Sequence, residues 1–284
     1  MARRTLVPKN KHTVAADCVS TLDLYSPTDE RRDSMEEVRA GYVAWKDWQT
    51  ENFGTYTRFD AASFAAELAG LLPVGRRARV LELGFGNGPF LGWCRAQGSE
   101  YCGVEIDAEM QRRARELGVA AFASIFDRSL ESYEQQFDVI AAFDVLEHIE
   151  QQELVRTLCQ VARLLRPGGY LLARFPNGDS PFGRVNQHGD LTHVTTLGRS
   201  KLQQLAHLSG MELLSFADPK RPWHSVGFSG AVRRLAGGAL KRVLETTLRT
   251  LYFGGEKICF DRNAVALLRR PAMSDPGIQH DARA

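Results

Sequence analysis

Hydrophobic positions change their spacing three times along the chain, and each change marks a different kind of segment. Roughly the first 40 residues are polar, are interrupted by Pro8 and Pro27, and hold no sustained periodicity, which predicts an arm with few packing contacts. Between 35 and 72 apolar and aromatic residues recur at helical spacing, first Tyr42, Trp45 and Trp48, then Phe64, Leu68, Leu71 and Leu72. Gly54 and its polar neighbours divide this stretch into two helices, expected to pack against the main domain or to cover its active site.

From Arg79 onward short β-rich runs alternate with helical stretches. Strands are predicted at 80–83, 101–105, 119–123, 137–142, 169–175 and 213–216, with helices at 90–97, 108–117, 151–165 and 199–209. Pro167, Gly168 and Gly169 are expected to stop the helix at 151–165 before its strand begins. Such alternation requires right-handed crossovers and so a parallel sheet. After Pro219, Phe228, Val232, Leu235, Leu240, Val243, Leu244, Leu248 and Leu251 fall on one helical face, with Arg233, Arg234, Lys241, Arg242 and Arg249 among them. A bend is expected near Gly237 and Gly238, then a last strand at 258–268 and a polar tail.

The predicted class is therefore α/β: a Rossmann-like, doubly wound, mostly parallel sheet with helices on both faces. An N-terminal arm and helical cap would occupy 1–73, the main domain 74–270 with a helical insertion at about 218–257 before the last strand, and the tail 271–284.

Composition narrows the field only a little. The chain has 284 residues, 44% hydrophobic and 25% charged, enough to bury a substantial core. A formal net charge of +2 carries no whole-protein signature of nucleic-acid binding. Five scattered cysteines form no CxxC pair, which argues against a zinc knuckle or disulfide framework and favours a reducing compartment. Arg3, Arg4 and Lys9 are followed by no apolar run of signal-peptide length, and no run is long enough to span a membrane, so a cytoplasmic location is expected. The late basic, amphipathic stretch at 228–253 packs on its own domain, lies on an anionic inner membrane face, or forms a homodimer contact.

The chemistry starts at Glu82–Gly88, where a buried strand runs into a turn of GxGxG spacing and Pro89 opens the next helix. Glycines at alternate positions let a ligand approach the backbone closely, at the carboxyl edge of a parallel sheet where ligands bind. An acidic residue, Glu105, ends the second strand, where a carboxylate can accept ribose hydroxyls.

The ordered set VLELGFGNG at 80–88, GVEID at 103–107, FDVIAAFDVLEHI at 137–149, LLRPGGYLL at 164–172 and FPN at 175–177 resembles class I S-adenosylmethionine-dependent methyltransferases over roughly 79–216. The resemblance implies S-adenosyl-L-methionine as cofactor. Glu82, Gly84, Phe85, Gly86 and Gly88 would surround its methionine part, Glu105 would bind the ribose, Ile106 would flank the adenine, and Phe143 and Asp144 would close the methionine side. Many relatives carry an Asp after the third strand for the adenine amine; here Ser124 or Asp127 could serve, and Asp127 could equally cap the next helix.

Transfer to a hydroxyl needs an aligned acceptor and a group to take its proton. Asp144, Glu147 and His148 fall at i, i+3 and i+4, and His193 could join them from the loop after the fifth strand. This DxxEH pattern with a later His resembles the metal site of small-RNA 2′-O-methyltransferases and of ubiquinone-pathway O-methyltransferases, implying Mg²⁺, Mn²⁺ or Zn²⁺ on Asp144, Glu147, His148 and His193. Other relatives use the EH pair without metal. The stretch Gly189-Asp190-Leu191-Thr192-His193 resembles methyltransferases found with bacterial surface-polysaccharide synthesis, implying a sugar, glycolipid or other small hydroxyl acceptor. In that reading His193 is the base, Asp190 orients it, His148 assists, and His188 is the second choice of base. An RNA-modifying enzyme using the metal pattern is the alternative, disfavoured by the lack of an aromatic and basic recognition module. A non-catalytic cofactor-binding protein is the other.

Overall fold

Seven strands form one sheet in the order β3-β2-β1-β4-β5-β7-β6. In this computed structural model residues 50–220, 228–254 and 258–272 are described. The expected arm, the helix bearing Tyr42, Trp45 and Trp48, and most of the polar tail lie outside the described residues.

The strands are β1 (Arg79–Leu83), β2 (Glu100–Val104), β3 (Ala120–Phe122), β4 (Phe137–Phe143), β5 (Leu165–Pro176), β6 (Glu212–Ala217) and β7 (Asn263–Arg269). β1 to β5 pair in parallel, and β7 runs antiparallel between β5 and β6. Helices α1 (Arg58–Glu67), α2 (Pro89–Ala96), α3 (Ala108–Glu116), α4 (Gln151–Leu164), α5 (Arg184–Gln187), α6 (Arg199–Leu208) and α7 (Phe228–Tyr252) complete the fold. Alternation along each strand divides the core. Leu81, Ile140, Leu171 and Ala173 pack with Leu154, Leu158 and Leu202 of α4 and α6. Val80, Val139 and Leu172 turn to the other face, where Phe64, Phe90 and Trp93 of α1 and α2 cover them. Burial on both faces is what a parallel sheet demands.

Local chemistry sets the helix starts. Thr57 and Asp60 form a reciprocal capping box at α1, and Asp107 caps α3 by accepting from the Met110 N–H.

Three expectations need correction. Pro167-Gly168-Gly169 does not end α4; the helix stops at Leu164 and the strand begins at once, with those residues inside β5. The Gly168 N–H donates to the Arg270 carbonyl, so the tract is held by the neighbouring β7 end rather than left as a loop. No bend occurs at Gly237 and Gly238, because α7 is one helix of 25 residues. The last strand starts at Asn263 instead of 258.

Part of the apolar stripe of α7 faces solvent. Leu240, Val243, Leu244 and Leu251 are exposed, whereas Lys241, Glu245, Leu248 and Arg249 are partly covered. The reason is electrostatic: the Lys241 ammonium sits 2.6 Å from Asp261 and 3.4 Å from Glu245, and an Arg249 N–H donates to the Ile258 carbonyl. Among the described residues no helix is long and apolar enough to cross a membrane.

At the amino edge of the sheet Asp138 is fully buried and accepts from Arg76, from the Arg79 N–H at 2.9 Å and from Arg166. Burial works against its charge, but Arg76, the Arg79 N–H and Arg166 outweigh it and hold the carboxyl below its ordinary value. Asp138→Ala should therefore cost about 2–3 kcal/mol in urea unfolding, from lost charge-assisted hydrogen bonds. Since the folded value is depressed, this stabilisation is complete above an unfolded-state value of about 3.9 and fades as pH falls through the folded one.

Candidate active site

The turn after β1 is built by close backbone approach. Gly84 has φ of +64°, and a Cβ there would stand 2.5 Å from Val145 Cγ2, so only glycine lets the turn meet the segment that follows β4. The Gly84 N–H donates to the Val104 carbonyl, which ties the turn to the end of β2. Gly88, at φ of +74°, begins α2 beneath Phe53 and Gly54, and the Gly54 N–H donates to the Asn87 carbonyl. The segment at Phe53 and Gly54 thus rests on the glycine turn, in line with the packing expected of the stretch before β1.

Glu105 is buried, and its carboxylate is gripped by three backbone donors: Gly86 N at 2.8 Å on Oε2, with Ile106 N at 2.7 Å and Asp107 N at 3.1 Å on Oε1. Burial raises its carboxyl above the ordinary value while those N–H groups pull the other way. Glu82, also buried, receives the Tyr101 O–H; burial pushes its carboxyl up to about 8.

These residues fit S-adenosylmethionine. Oε2 of Glu105 keeps a lone pair for a ribose hydroxyl, Ile106 is 66% exposed beside it as an apolar plate for the adenine, and the buried Asn87 Oδ1 in the turn accepts no hydrogen bond. Phe85 contributes backbone only. Its ring is buried with Leu91, Met110 and Ala114, fitting over Gly103, where a Cβ would lie 2.4 Å from it. Phe143 packs edge-on to Phe90 and beside Phe64. Ser124 Oγ accepts from the Phe126 N–H, and Asp127 caps the short helix Arg128–Tyr133 through the Ser129 N–H.

Asp144 has φ of +58°, a left-handed conformation that costs a non-glycine residue roughly 1–3 kcal/mol. Arg174, missed in the sequence, holds it there. The Arg174 carbonyl accepts the Asp144 N–H at 2.8 Å, and the guanidinium grips the Asp144 carboxylate through Nε and Nη2. This engagement draws Asp144 away from the proposed metal ligands.

The other three come together. The loop after β5 is stitched to the 3-10 turn Leu146–His148 by the Val194 and Thr195 N–H groups, both donating to the Glu147 carbonyl at 3.0 Å. Ligand atoms of Glu147, His148 and His193 lie within 4.8 Å of one another, and the imidazole centroids are 4.6 Å apart. Hydrogen bonds assign both tautomers. Thr192 Oγ1 donates to Asp190 Oδ1 at 2.6 Å and so accepts from His148 Nδ1 at 2.8 Å. His193 Nδ1–H donates to the Asn186 carbonyl at 3.0 Å, and Nε2 lies 4.0 Å from Glu147 and 3.9 Å from Asp190.

Asn186, rather than the expected Asp190, therefore orients His193, and Asp190 faces the nitrogen that would receive a proton. Thr192 lay inside the motif but carried no predicted role; a backbone acceptor such as Asn186 leaves no sequence signal. His188 is exposed and outside the cluster. Asn177, Asp179 and Ser180 pin the loop: Asn177 and Ser180 donate to carbonyls at 259–261, and Asp179 accepts from the Arg199 N–H at the start of α6.

A mostly parallel sheet with a glycine turn, a clamped acid just after β2 and the group Glu147, His148 and His193 after β4 and β5 is the architecture of class I S-adenosylmethionine-dependent methyltransferases. A family model described as a methyltransferase domain matches residues 55–216, and the chain belongs to that family. Over 128 residues it is 34% identical to the 27-O-demethylrifamycin SV methyltransferase of Amycolatopsis mediterranei, covering 41% of this chain and 45% of that protein. Over 154 residues it is 29% identical to the ubiquinone biosynthesis O-methyltransferase of Rhizobium etli, covering 52% and 56%. The chain thus spans about half the length of the curated relatives it matches. A SAM-dependent methyltransferase from Archaeoglobus fulgidus shares the fold, with a TM-score of 0.51 at 19% identity over 75% of this chain and 94% of that one.

Two outcomes are expected for cofactor binding. Glu105→Ala should weaken S-adenosylhomocysteine by about 1–3 kcal/mol in calorimetry through loss of a charged hydrogen bond. Because the Glu82 carboxyl is raised to about 8, it is protonated at neutral pH, and a cationic ligand beside it favours ionisation. Affinity should then rise with pH by up to about tenfold per unit below that value, with proton release, and level off above it. Affinity that is flat from pH 6 to 9 would remove Glu82 from the ligand's surroundings.

Proposed function

We propose that the protein methylates a hydroxyl of a small polar acceptor, of sugar or glycolipid type, and that His193 Nε2 takes the hydroxyl proton. The observation that carries this is the placement of His193: Nδ1 is committed to the Asn186 carbonyl, so Nε2 is the nitrogen turned toward Glu147, in the group it forms with His148. Bound S-adenosylmethionine supplies an electrophilic methyl whose sulfur leaves as a neutral thioether. His193 Nε2 would take the proton of the acceptor hydroxyl to which that methyl passes. Carboxylates of Glu147 and Asp190 stand 4.0 and 3.9 Å from that nitrogen. The segment carrying Glu147 and His148 begins at Val145, in contact with Gly84 of the glycine turn, so the base stands beside the cofactor turn. Both curated relatives are named for methylation at oxygen. The likeness of the GDLTH stretch to methyltransferases of surface-polysaccharide synthesis supports the sugar class.

A second reading is favoured by one fact, the approach of three donor groups within 4.8 Å. Glu147, His148 and His193 would hold a divalent ion, Mg²⁺, Mn²⁺ or Zn²⁺, whose charge acidifies a bound hydroxyl.

His193→Ala should lower kcat by roughly 10²-fold or more while leaving S-adenosylhomocysteine affinity unchanged. EDTA separates the readings: activity is indifferent to it if the imidazole is the base, and abolished then restored by added metal if an ion is held. Full activity in His193→Ala would sink both.

A further inference from the structure

Beyond the histidine cluster lies a cavity of about 420 Å³, enclosed by α7, the loop after β5 and the segment leading into β7. Its place follows from the strand order. The cofactor turn and Glu105 stand at the ends of β1 and β2, the Glu147, His148 and His193 cluster follows β4 and β5, and the cavity opens at the start of β7, the next strand over. All three lie along the carboxyl edge of the parallel strands, where α/β sheets bind ligands. The volume falls within the range of about 300–1,000 Å³ for small-molecule sites.

Asn186 forms a wall shared between the cavity and the base. Its carbonyl holds His193 Nδ1–H, while its side-chain amide, on the cavity side, donates to Asn263 Oδ1 at 2.6 Å. The charges that line the cavity balance, with Lys241 and Arg262 against Glu245 and Asp261, so a net charge on a ligand finds no counter-field. Glu245 Oε1 is buried and accepts no hydrogen bond, although Lys241 stands 3.4 Å away, which leaves an acceptor for a hydroxyl donor. Phe182, 48% exposed, and Leu244 offer an apolar wall beside these polar groups. One apolar face bordered by amides and a carboxylate is the chemistry that receives a pyranose ring, apolar on its C–H face and ringed by hydroxyls.

We propose that this cavity binds the body of the acceptor as an uncharged saccharide ring, an inference that rests on the hydroxyl-acceptor reading above. Saturation-transfer NMR with methyl α-D-glucopyranoside, methyl α-D-galactopyranoside and methyl α-D-mannopyranoside, each in the presence of S-adenosylhomocysteine, tests it. At least one should receive saturation from the wild-type protein, and Leu244→Trp, which fills the cavity from the exposed side of α7, should weaken that binding by about tenfold or more. Calorimetry should show unchanged S-adenosylhomocysteine affinity in Leu244→Trp, which establishes that the variant is folded; Glu245→Gln, nearly isosteric, should also weaken the pyranoside. No saturation transfer to any of the three in the wild type, or undiminished transfer in both variants, overturns the proposal. A parallel assay of methyl transfer to catechol separates it from the reading beneath it. Turnover of catechol without pyranoside binding overturns the cavity assignment and leaves hydroxyl methylation standing. Pyranoside binding that both variants weaken, with no turnover of any hydroxyl compound, upholds the cavity and overturns hydroxyl methylation.

Discussion

The contact between Gly84 and Val145 constrains everything else in the site. Methyl transfer requires a donor and an acceptor held within near-attack distance, and in this fold they are served by different strands. The absent Cβ of Gly84 lets the end of β1 touch the segment leaving β4, at a spacing that any side chain would force open. The glycine turn and the segment carrying Glu147 and His148 are therefore adjacent through the short Val145 side chain seated against Gly84.

Two further restraints keep that junction stiff. Arg174 closes on Asp144 with both its carbonyl and its guanidinium, so the left-handed residue at the end of β4 has one geometry. The loop bringing His193 is fastened at both ends: Val194 and Thr195 bind the Glu147 carbonyl, and Asn177 and Ser180 bind the segment before β7. The imidazoles are thus positioned by backbone carbonyls and by Thr192, and the carboxylates of Glu147 and Asp190 are left to act electrostatically on His193.

Much of this was legible in the sequence for definite reasons. Strands buried on both faces read as short apolar runs, and glycine spacing located the turn after β1, to which the acid after β2 is hydrogen-bonded through the Gly86 N–H. His193 and Glu147, singled out by residue type and spacing, do come together within 4.8 Å. What escaped was set by geometry with no side-chain signature. Asn186 acts through its carbonyl, and Phe85 turns inward only because Gly103 on the neighbouring strand makes room for its ring. Helix α7 misled for a different reason: an ion-paired lysine faces the domain, while Leu240, Val243 and Leu251 of the apolar stripe are exposed.

The central claim is that His193 Nε2 and the reacting methyl group share one space across the Gly84–Val145 contact. A crystal structure of the S-adenosylhomocysteine complex measures it directly. The account predicts the product sulfur within about 8 Å of His193 Nε2, on the side facing Glu147, with a gap that admits one methyl carbon and one hydroxyl oxygen. A sulfur more than about 10 Å away, or screened from the imidazole by the chain at 144–146, would contradict it.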